Sequence, residues 1–357
     1  MKKIPVGILG ATGMVGQRFV TLLESHPWFE IVALAASSRS AGKSYAQAVS
    51  GRWLIPEKIP TKISKMKVFE VRGDIKKITS AARLVFSALD MDKNAIRKIE
   101  NDYAGLGAAV VSNNSAHRWT SDVPMILPEV NPAHLNLIRI QQKNHKRKGF
   151  IVVKPNCSIQ SYVPLIAPLL KFAPKKVAVT TCQAVSGAGK TLKTWPEVMD
   201  NVIPFISGEE EKSEREPMKI WGKLKRDRIQ NAVYPKISAT CLRIAVSDGH
   251  MASIGISFSK KPTKKQIIAA WKSFKSPIKN LKLPSSPEPF ITFFEEDDRP
   301  QTRLDRMIGD GMGIAVGRLR EDSVLDYKFV GLSHNTIRGA AGGAVLTAEL
   351  LHAKGFI

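Results

Sequence analysis

One cysteine of this 357-residue chain stands where a thiol could act as a nucleophile. Cys157 lies in the segment KPNCS, at a point where a new helix is predicted to begin. At a helix N-terminus the macrodipole and the free backbone amides stabilise a thiolate, and the same amides could hold an oxyanion. A buried, inert thiol is the ordinary alternative for Cys157, as it is for the other two cysteines, Cys182 and Cys241. The position therefore suggests thiol chemistry without establishing it.

A thiol nucleophile needs a base, and His250 is the candidate. It ends the segment RIAVSDGH, follows a predicted strand and a glycine turn, and leads into another predicted strand. The six other histidines, at positions 26, 117, 134, 145, 334 and 352, have no comparable surroundings. A lone histidine is more often structural than catalytic, so the sequence alone leaves the pairing of Cys157 with His250 open.

A glycine-rich turn near the N-terminus predicts a nucleotide site. The segment GATGMVG, residues 10–16, directly follows the first predicted strand and opens the first predicted helix. Gly10 and Gly13 permit a tight turn and a close backbone approach, so that the amides of the helix N-terminus can face a pyrophosphate. A glycine turn without a ligand is the weaker alternative, because the pattern stands between a strand and a helix.

The residues after the second predicted strand bear on which dinucleotide binds. An acidic residue there would hydrogen-bond the ribose hydroxyls of NAD. The segment ASSRS instead offers Ser37, Ser38 and Arg39, with Lys43 just beyond. Hydroxyls and a guanidinium suit a 2′-phosphate, so NADP is the predicted cofactor. The alternative is that Arg39 is only a solvated loop cation.

The pattern of apolar residues predicts two domains of different architecture. Strands are predicted at 6–9, 31–35, 84–87 and 108–112, with an amphipathic helix at 14–25, which indicates a parallel sheet covered by helices. From about residue 151 longer strands are predicted at 176–183, 241–246, 252–258 and 327–332. These suit an α+β domain with a mixed or antiparallel sheet. The Ala- and Leu-rich tail, 335–351, is predicted to be a helix that returns to the first domain.

The formal net charge of +23 would suggest nucleic-acid binding. The basic residues, however, form short scattered runs without interleaved aromatic residues, and no helix-turn-helix or zinc-finger pattern occurs. We expect a solvated surface that attracts anionic substrates rather than a specific nucleic-acid interface. A nucleotide-sensing or nucleic-acid-binding protein that keeps the fold without catalysis is the alternative from another functional class.

Cysteine usage and hydropathy bear on where the protein works. An odd, sparse set of three cysteines predicts neither a disulfide framework nor a zinc site. No apolar run approaches the roughly 20 residues that span a bilayer. A cytoplasmic protein without a membrane segment or a bound metal is expected.

Six motifs together carry a resemblance to a known family. GATGMVG, PNCS, QAVSGAGK, ISGEEEK, LRIAVSDGH and RPQTRLDR resemble the aspartate-semialdehyde dehydrogenases, and specifically their archaeal and fungal branch. The match runs nearly from end to end. It implies an N-terminal Rossmann-type NADP-binding domain at 1–156, completed by a C-terminal helix within 335–357. Residues 157–334 would form a catalytic and oligomerisation domain with a mixed sheet, in a homodimer or homotetramer.

The resemblance also implies roles for individual residues. Cys157 would be the nucleophile, His250 the acid–base residue, and Gln183 a support for the acyl intermediate. The substrate would be bound by Arg243 at its α-carboxylate, by Glu209 or Glu216 at its ammonium, by Arg118 and Lys219 at its phosphate, and by Asn156 beside the nucleophile. The residues implied at the cofactor are Gly10, Thr12, Gly13, Met14, Val15, Ser37, Ser38, Arg39, Ser87, Ser186, Gly187, Ala188, Gly189 and Asn335.

The implied reaction is the reductive dephosphorylation of β-aspartyl phosphate to aspartate semialdehyde through a cysteine thioester, a step in lysine, threonine and methionine biosynthesis. The nearest alternative is another reductase that forms a thioester, such as N-acetyl-γ-glutamyl-phosphate reductase or malonyl-CoA reductase. The acidic GEEEK segment favours a substrate with a free ammonium.

Overall fold

The computed structural model describes residues 2–357. Its N-terminal part is a sheet of six parallel strands in the order β3-β2-β1-β4-β5-β6. The strands are β1 (Ile4–Leu9), β2 (Phe29–Ala36), β3 (Val68–Glu70), β4 (Leu84–Ser87), β5 (Ala109–Ser112) and β6 (Phe150–Val153). The central strands are buried on both faces, as expected of a parallel sheet covered by helices.

Six helices connect these strands: α1 (Met14–Leu23), α2 (Tyr45–Ala48), α3 (Thr61–Ser64), α4 (Ile75–Ala81), α5 (Lys93–Gly105) and α6 (Leu137–His145). The strand order reverses between β1 and β4, and a ligand of an open parallel sheet binds at such a point, outside the carboxyl ends of the strands. The glycine turn that leaves β1 therefore lies at the predicted nucleotide site.

The second sheet has seven strands in the order β13-β14-β15-β12-β7-β11-β8. They are β7 (Pro174–Gln183), β8 (Val202–Ile203), β11 (Lys236–Ile244), β12 (His250–Phe258), β13 (Ile291–Phe293), β14 (Ile314–Glu321) and β15 (Tyr327–Ser333), and a separate hairpin pairs β9 (Lys223–Lys225) with β10 (Arg228–Gln230). The sheet is mixed, because β7 runs parallel to β11 and antiparallel to β12.

Five further helices belong to this half of the chain: α7 (Val163–Ile166), α8 (Glu209–Ile220), α9 (Lys264–Lys272), α10 (Thr302–Asp305) and α11 (Gly342–Ala353). Short 3₁₀ turns lie at Pro132–Asn136, Ser158–Ser161, Ala167–Phe172, Val185–Ala188, Pro196–Val198 and Lys279–Leu281, and a π-helical turn, Ile337–Ala341, leads into α11. Helix α11 is buried along almost its whole length and packs into the core of the first sheet.

One face of the second sheet is open. Side chains alternate along its strands, so that Val177 and Val179 of β7 are buried whereas Ala178 is exposed. On β12 likewise Ile254 is buried and Ser253 is exposed. This open face consists largely of small residues. Near the edge strand β8 the apolar side chains of Met199, Val202 and Phe205 are more than half exposed, as are Val233 and Tyr234 just before β11.

The predicted fold class is confirmed, including the return of the C-terminal helix to the first sheet. The prediction omitted seven strands, β3, β6, β8, β9, β10, β13 and β14. Most of these strands are only two to four residues long, and β14 is interrupted by a register shift between Gly317 and Arg320, with a positive φ at Arg318. An irregular strand loses the two-residue alternation by which a sequence reveals it.

In residues 2–357 no helix is long and apolar enough to cross a membrane. Over the same residues, no group of three or more His, Cys, Asp and Glu side chains is arranged to hold a metal ion.

Candidate active site

Three strand ends and one loop bring the predicted catalytic residues together. Gln183 is the last residue of β7, Arg243 lies directly beside it on β11, and His250 is the first residue of β12. Cys157 follows β6 of the other sheet. The Sγ atom of Cys157 lies 3.5 Å from Nε2 of His250, across 93 positions of sequence. The pairing that the sequence left open is therefore present in the structure.

The hydrogen bonds of His250 decide which of its nitrogens carries a proton. Nδ1 accepts a hydrogen bond from the backbone N–H of Ala184 at 3.1 Å. Because Nδ1 is an acceptor, a neutral imidazole carries its proton on Nε2, facing the sulfur of Cys157. Burial lowers the pKa of His250 well below its usual value, and the charges of Arg243 and His334 lower it further. His250 is thus a neutral donor directed at the sulfur.

The predicted helix start after Cys157 has a different form from the one expected. Cys157 caps a 3₁₀ turn of four residues, Ser158–Ser161, which is followed by α7. Burial and the charge of Glu209, opposed by the charges of Lys154, Arg118 and Arg243, raise the pKa of the Cys157 thiol to about 11. Stabilisation of a thiolate by this helix N-terminus stays a prediction.

Opposite charges lie close to the thiol. Arg243 is buried, and its Nη1 donates to the carbonyl of Ala184 at 2.7 Å, the one hydrogen-bond partner of this side chain among residues 2–357. Glu209, the first residue of α8, accepts hydrogen bonds from Asn156 at 3.0 Å and from Gln183 at 3.3 Å, and it pairs with Lys212 at 2.7 Å. A cation with free donors and a buried carboxylate thus lie near the thiol of Cys157, and both charges act on it.

Glu216 has a different environment. Its Oε1 accepts from Arg118 at 2.8 Å in a buried ion pair, and its Oε2 accepts from the backbone N–H of Asn156 at 2.7 Å. The side-chain carbonyl of Asn156 in turn accepts from the backbone N–H of Ser158. Glu216 and Asn156 therefore hold the loop that carries Cys157.

Lys219 and Arg118 are both engaged inside the protein. The ammonium of Lys219 donates to the carbonyls of Arg118 at 2.6 Å and Val123 at 3.0 Å, and burial lowers its pKa to about 8. Arg118 donates to the carbonyl of Lys154 as well as to Glu216. Neither predicted phosphate ligand presents a free ammonium or guanidinium in this state.

The loop after β7 covers the site. A Cβ added to Gly187 would lie 2.9 Å from Nη1 of Arg243 and 3.0 Å from Nε2 of His250, so a side chain at this position would press on both groups. Ser186 is buried, whereas Gly187, Ala188 and Gly189 are exposed. Asn335 joins this loop to the start of β12, because its amide donates to the hydroxyl of Ser186 and its oxygen accepts from the N–H of Gly249, both at 2.8 Å.

The glycine turn after β1 has the geometry of a phosphate site. Gly10 has φ of +82°, and a Cβ there would collide with the carbonyl of Ala88 at 2.2 Å. A Cβ on Gly16 would lie 2.2 Å from the carbonyl of Gly10, so helix and turn pack directly on each other. Helix α1 begins after Gly13 with no side-chain cap and no acid in its first turn. Its first amides are available to an anion.

The remaining predicted cofactor residues lie around the same strand ends. Thr12 and Val15 are half-buried in the turn and the first helical turn, and Met14 is buried. Ser37, Ser38 and Arg39 are exposed just beyond β2. Ser87 is buried at the end of β4, where its hydroxyl accepts from the amide of Asn114 at 3.0 Å.

Comparison with known proteins identifies the family. Two family models match the chain, the NAD-binding domain of semialdehyde dehydrogenase at residues 5–138 and its dimerisation domain at residues 166–338. The aspartate-semialdehyde dehydrogenase of Archaeoglobus fulgidus is 44% identical over 346 residues, 97% of each chain. The chain belongs to the aspartate-semialdehyde dehydrogenase family. The resemblance drawn from the six motifs is confirmed.

Other members of the aspartate-semialdehyde dehydrogenase family agree along the whole length. The enzyme of Saccharomyces cerevisiae is 42% identical, with 100% of this chain and 99% of the relative aligned. The crystal structure of the Candida albicans enzyme with NADP superimposes with a TM-score of 0.89 at 39% identity and covers both chains completely. A Vibrio cholerae aspartate-semialdehyde dehydrogenase, at 24% identity and a TM-score of 0.75, shares the fold.

Two charged groups at the site were not predicted from the sequence. Arg338, in the π-helical turn, forms a buried two-pronged ion pair with Glu129 at 2.5 and 2.6 Å and also donates to Gln160. Lys154, three residues before the nucleophile, is buried without a hydrogen-bond partner among residues 2–357. Neither residue has a sequence signal of its own, since burial of a basic side chain depends on distant segments that close over it.

Proposed function

We propose that this protein is an NADP-dependent aspartate-semialdehyde dehydrogenase that converts β-aspartyl phosphate to aspartate semialdehyde and phosphate through a thioester on Cys157. The observation that carries the proposal is the Cys157–His250 contact at 3.5 Å, with Arg243 and Glu209 near it. A thiol beside an imidazole suits acyl transfer. A cation and an anion around it suit an α-amino acid, and family membership supports the same activity.

Arg243 is the proposed ligand of the substrate α-carboxylate. Its single internal bond, through Nη1, leaves other N–H groups for a two-pronged pair, which a planar guanidinium forms better than an ammonium does. Glu209 is the proposed ligand of the substrate ammonium. Of the two candidate glutamates it is the better one, because Glu216 is already occupied by Arg118 and by the backbone of Asn156.

The proposed chemistry uses sulfur both as nucleophile and as leaving group. The thiolate of Cys157 attacks the acyl carbon, the carbon–oxygen bond to phosphate breaks, and a thioester remains. After reduction the tetrahedral adduct collapses, the carbon–sulfur bond breaks, and the aldehyde leaves. The Nε2 proton of His250 stabilises negative charge on sulfur and on the adduct oxygen in both halves of the reaction.

The residues of the nucleotide-binding half fit NADP. The open amides at the start of α1 suit the pyrophosphate, and the exposed Ser37, Ser38 and Arg39 suit the 2′-phosphate. When bound, the reduced cofactor supplies the hydride that reduces the thioester. The loop of Gly187 and the side chain of Asn335 border the space between that half and Cys157, and we propose that they orient the nicotinamide. Ser87 is proposed to border the same cofactor site.

We also propose that Arg118 and Lys219 bind the phosphate of the substrate, although both are bonded to protein oxygens in this structure. Arg118 and Lys219 border the site with positive charge, and the charge of Arg118 acts on the thiol of Cys157. To bind phosphate, their N–H groups would exchange the carbonyl oxygens of the protein for phosphate oxygens. Protein carbonyls and phosphate both offer oxygen atoms as hydrogen-bond acceptors, so the same N–H groups can bind either one.

Changing Arg39 to glutamate is expected to lower the preference for NADP over NAD by about 10- to 100-fold. The basis is the loss of a charge-assisted hydrogen bond of about 1.5–3 kcal/mol to the 2′-phosphate, replaced by repulsion. The measurement is kcat/KM with each cofactor. Arg72→Glu, on a neighbouring loop after β3, is the matched control. An unchanged cofactor ratio in Arg39→Glu would show that Arg39 is only a solvated cation.

Changing Arg243 to lysine is expected to lower kcat/KM for aspartate semialdehyde by about 10²- to 10³-fold, because disrupting a buried charge pair costs roughly 2–5 kcal/mol. Binding of NADP should remain as in the wild type. Arg215→Lys, at an exposed position of α8, serves as the control. Near-wild-type kcat/KM in Arg243→Lys would place the carboxylate elsewhere.

The activity itself is tested by reduction of NADP⁺ with three aldehydes: aspartate semialdehyde and N-acetylglutamate semialdehyde with phosphate, and malonate semialdehyde with coenzyme A, since the acyl group of a thioester needs an acceptor. Turnover of the first is expected, because the buried Glu209 suits a free ammonium that the other two lack. Turnover of either of the others alone would support a related acyl reductase. Salt-sensitive binding of DNA together with no binding of NADP would support a nucleic-acid-binding protein.

We also propose that residues 1–156 and 335–357 form one domain and residues 157–334 the other. The chain passes from the first sheet to the second after β6, and α11 is buried on the first sheet.

We propose a homodimer or homotetramer that assembles through the open face of the second sheet, in the segment that matches a dimerisation domain. A cytoplasmic location stays a prediction from cysteine usage.

A further inference from the structure

Lys154 is a buried cation that the proposed reaction does not use. It follows β6, is 3% exposed, and its ammonium nitrogen has no hydrogen-bond partner among residues 2–357. Its side chain runs beneath the first turn of α11, where a Cβ on Gly343 would lie 2.4 Å from Cε and 3.3 Å from Nζ of Lys154. A buried ammonium without a partner is unfavourable, so its retention three residues before the nucleophile needs an explanation.

The charges that face Lys154 come from four segments. Arg338 of the π-helical turn and Arg118 repel an ammonium, whereas a thiolate at Cys157 and the carboxylate of Glu216 attract it. Arg338 is already neutralised by Glu129, and Glu216 by Arg118. Cys157 is therefore the remaining group whose negative charge could compensate Lys154.

The charge of Lys154 also affects the thiol of Cys157. Burial and Glu209 raise the pKa of the Cys157 thiol, and Lys154, Arg118 and Arg243 lower it, in that order. Burial lowers the pKa of Lys154 well below its usual value, and Arg338 lowers it further. Cys157 and Lys154 also meet the same segment of chain. A Cβ on Gly339 would lie 2.9 Å from Cβ of Cys157, and Gly343, four residues later, packs on Lys154, so both residues lie against the π-helical turn and the start of α11.

We propose that Lys154 is a positioning residue whose buried ammonium stabilises the thiolate of Cys157. The proposal rests on Cys157 as the proposed nucleophile. Its charge opposes the effect of burial on the thiolate beside the 3₁₀ turn of Ser158–Ser161. Gly343 leaves room for the lysine side chain and also for the carbonyl of Arg338, which would lie 2.5 Å from a Cβ there.

The test is the pH dependence of alkylation of Cys157 by iodoacetamide in the full-length protein without substrate, followed by mass spectrometry of the Cys157 peptide. In Lys154→Met the midpoint should rise by at least about one pH unit, which corresponds to about tenfold slower alkylation below both midpoints. Lys175→Met, which removes one exposed charge, should leave the midpoint unchanged. A folded Lys154→Met protein with the wild-type midpoint would overturn the proposal.

Because no substrate is present, this result is independent of which aldehyde the enzyme uses. If the Lys154→Met protein does not fold, Lys154→Gln is tested in its place by the same criterion. The wild type offers a second measurement through NMR of lysine labelled with ¹³C at Cε. Burial lowers the pKa of Lys154 and Lys219, so two lysines should titrate below the rest. Alkylation of Cys157 should lower one of the two midpoints further; if neither moves, the proposal fails.

Discussion

Replacing Cys157 by serine is expected to lower kcat by on the order of 10⁵- to 10⁶-fold, the scale on which loss of a covalent nucleophile acts in other enzymes. A serine hydroxyl is a far weaker acid than a thiol and a far poorer leaving group, so both formation and collapse of the acyl adduct are affected. Binding of NADP should be nearly unchanged, because Cys157 lies outside the glycine turn after β1. The measurements are steady-state turnover and cofactor titration.

The matched controls are the other two cysteines. Cys241 is buried on β11 near the hydroxyl of Ser213, and Cys182 is half-buried on β7. Serine at either position should retain most of the activity. Mass spectrometry after mixing the wild type with aspartate semialdehyde, phosphate and NADP⁺ should find one acyl adduct, on Cys157. Substantial turnover by Cys157→Ser, or an adduct on another cysteine, contradicts the covalent mechanism.

Replacing His250 by asparagine is expected to lower kcat/KM by about 10²- to 10⁴-fold, the usual contribution of a positioned acid–base group. The amide would fill much of the space of the ring, but it cannot reproduce an imidazole that accepts from Ala184 and donates towards the sulfur of Cys157. Alkylation of Cys157 should also become slower, since the thiolate loses a donor. His145→Asn, at a surface ion pair with Asp122, is the control.

The pH profile of the wild type gives an independent check on His250. Burial, aided by Arg243 and His334, lowers the pKa of this imidazole, so the neutral form persists to more acidic pH than the usual 6.5. No loss of kcat/KM attributable to His250 is therefore expected as pH falls from 8 through 6.5. A limb near pH 6.5 that disappears in His250→Asn would show an imidazole that is exposed to solvent and protonated in the working enzyme.

The regular elements of the fold could be predicted because each depends on local order. The strand before the glycine turn, the helix after it, and the long strands β7, β11, β12 and β15 carry a clear periodicity, and the alternation of strand and helix implies a parallel sheet. Boundaries differ by a few residues, as in β11, where the prediction began at Cys241 and the strand begins at Lys236. The seven omitted strands are short or irregular, so tertiary pairing rather than local pattern determines them.

The active-site prediction divides in the same way. Residue types and motifs named Cys157 and His250, and the structure brings them to 3.5 Å. The sequence left open whether Glu209 or Glu216 binds the substrate ammonium, because that segment contains several acidic residues. The structure distinguishes them, because Arg118 reaches across 98 positions to Glu216 and leaves Glu209 beside Gln183. Activation of the thiol by a helix N-terminus stays a prediction, and the structure adds that the first turn after Cys157 is 3₁₀ rather than α-helical.

The sequence by itself determined the family, the order of the two domains and the glycine turn, and it named Cys157 as the candidate nucleophile, because all of these reside in contiguous motifs. Only the tertiary structure decided the ionisation of that nucleophile. Burial raises the pKa of the Cys157 thiol, and the charges that oppose it come from Lys154, Arg118 and Arg243, which lie up to 125 positions apart in sequence (118 to 243). The pKa of a buried group is set by its degree of desolvation and by charges within a few ångströms, and neither quantity is a property of a local segment of chain.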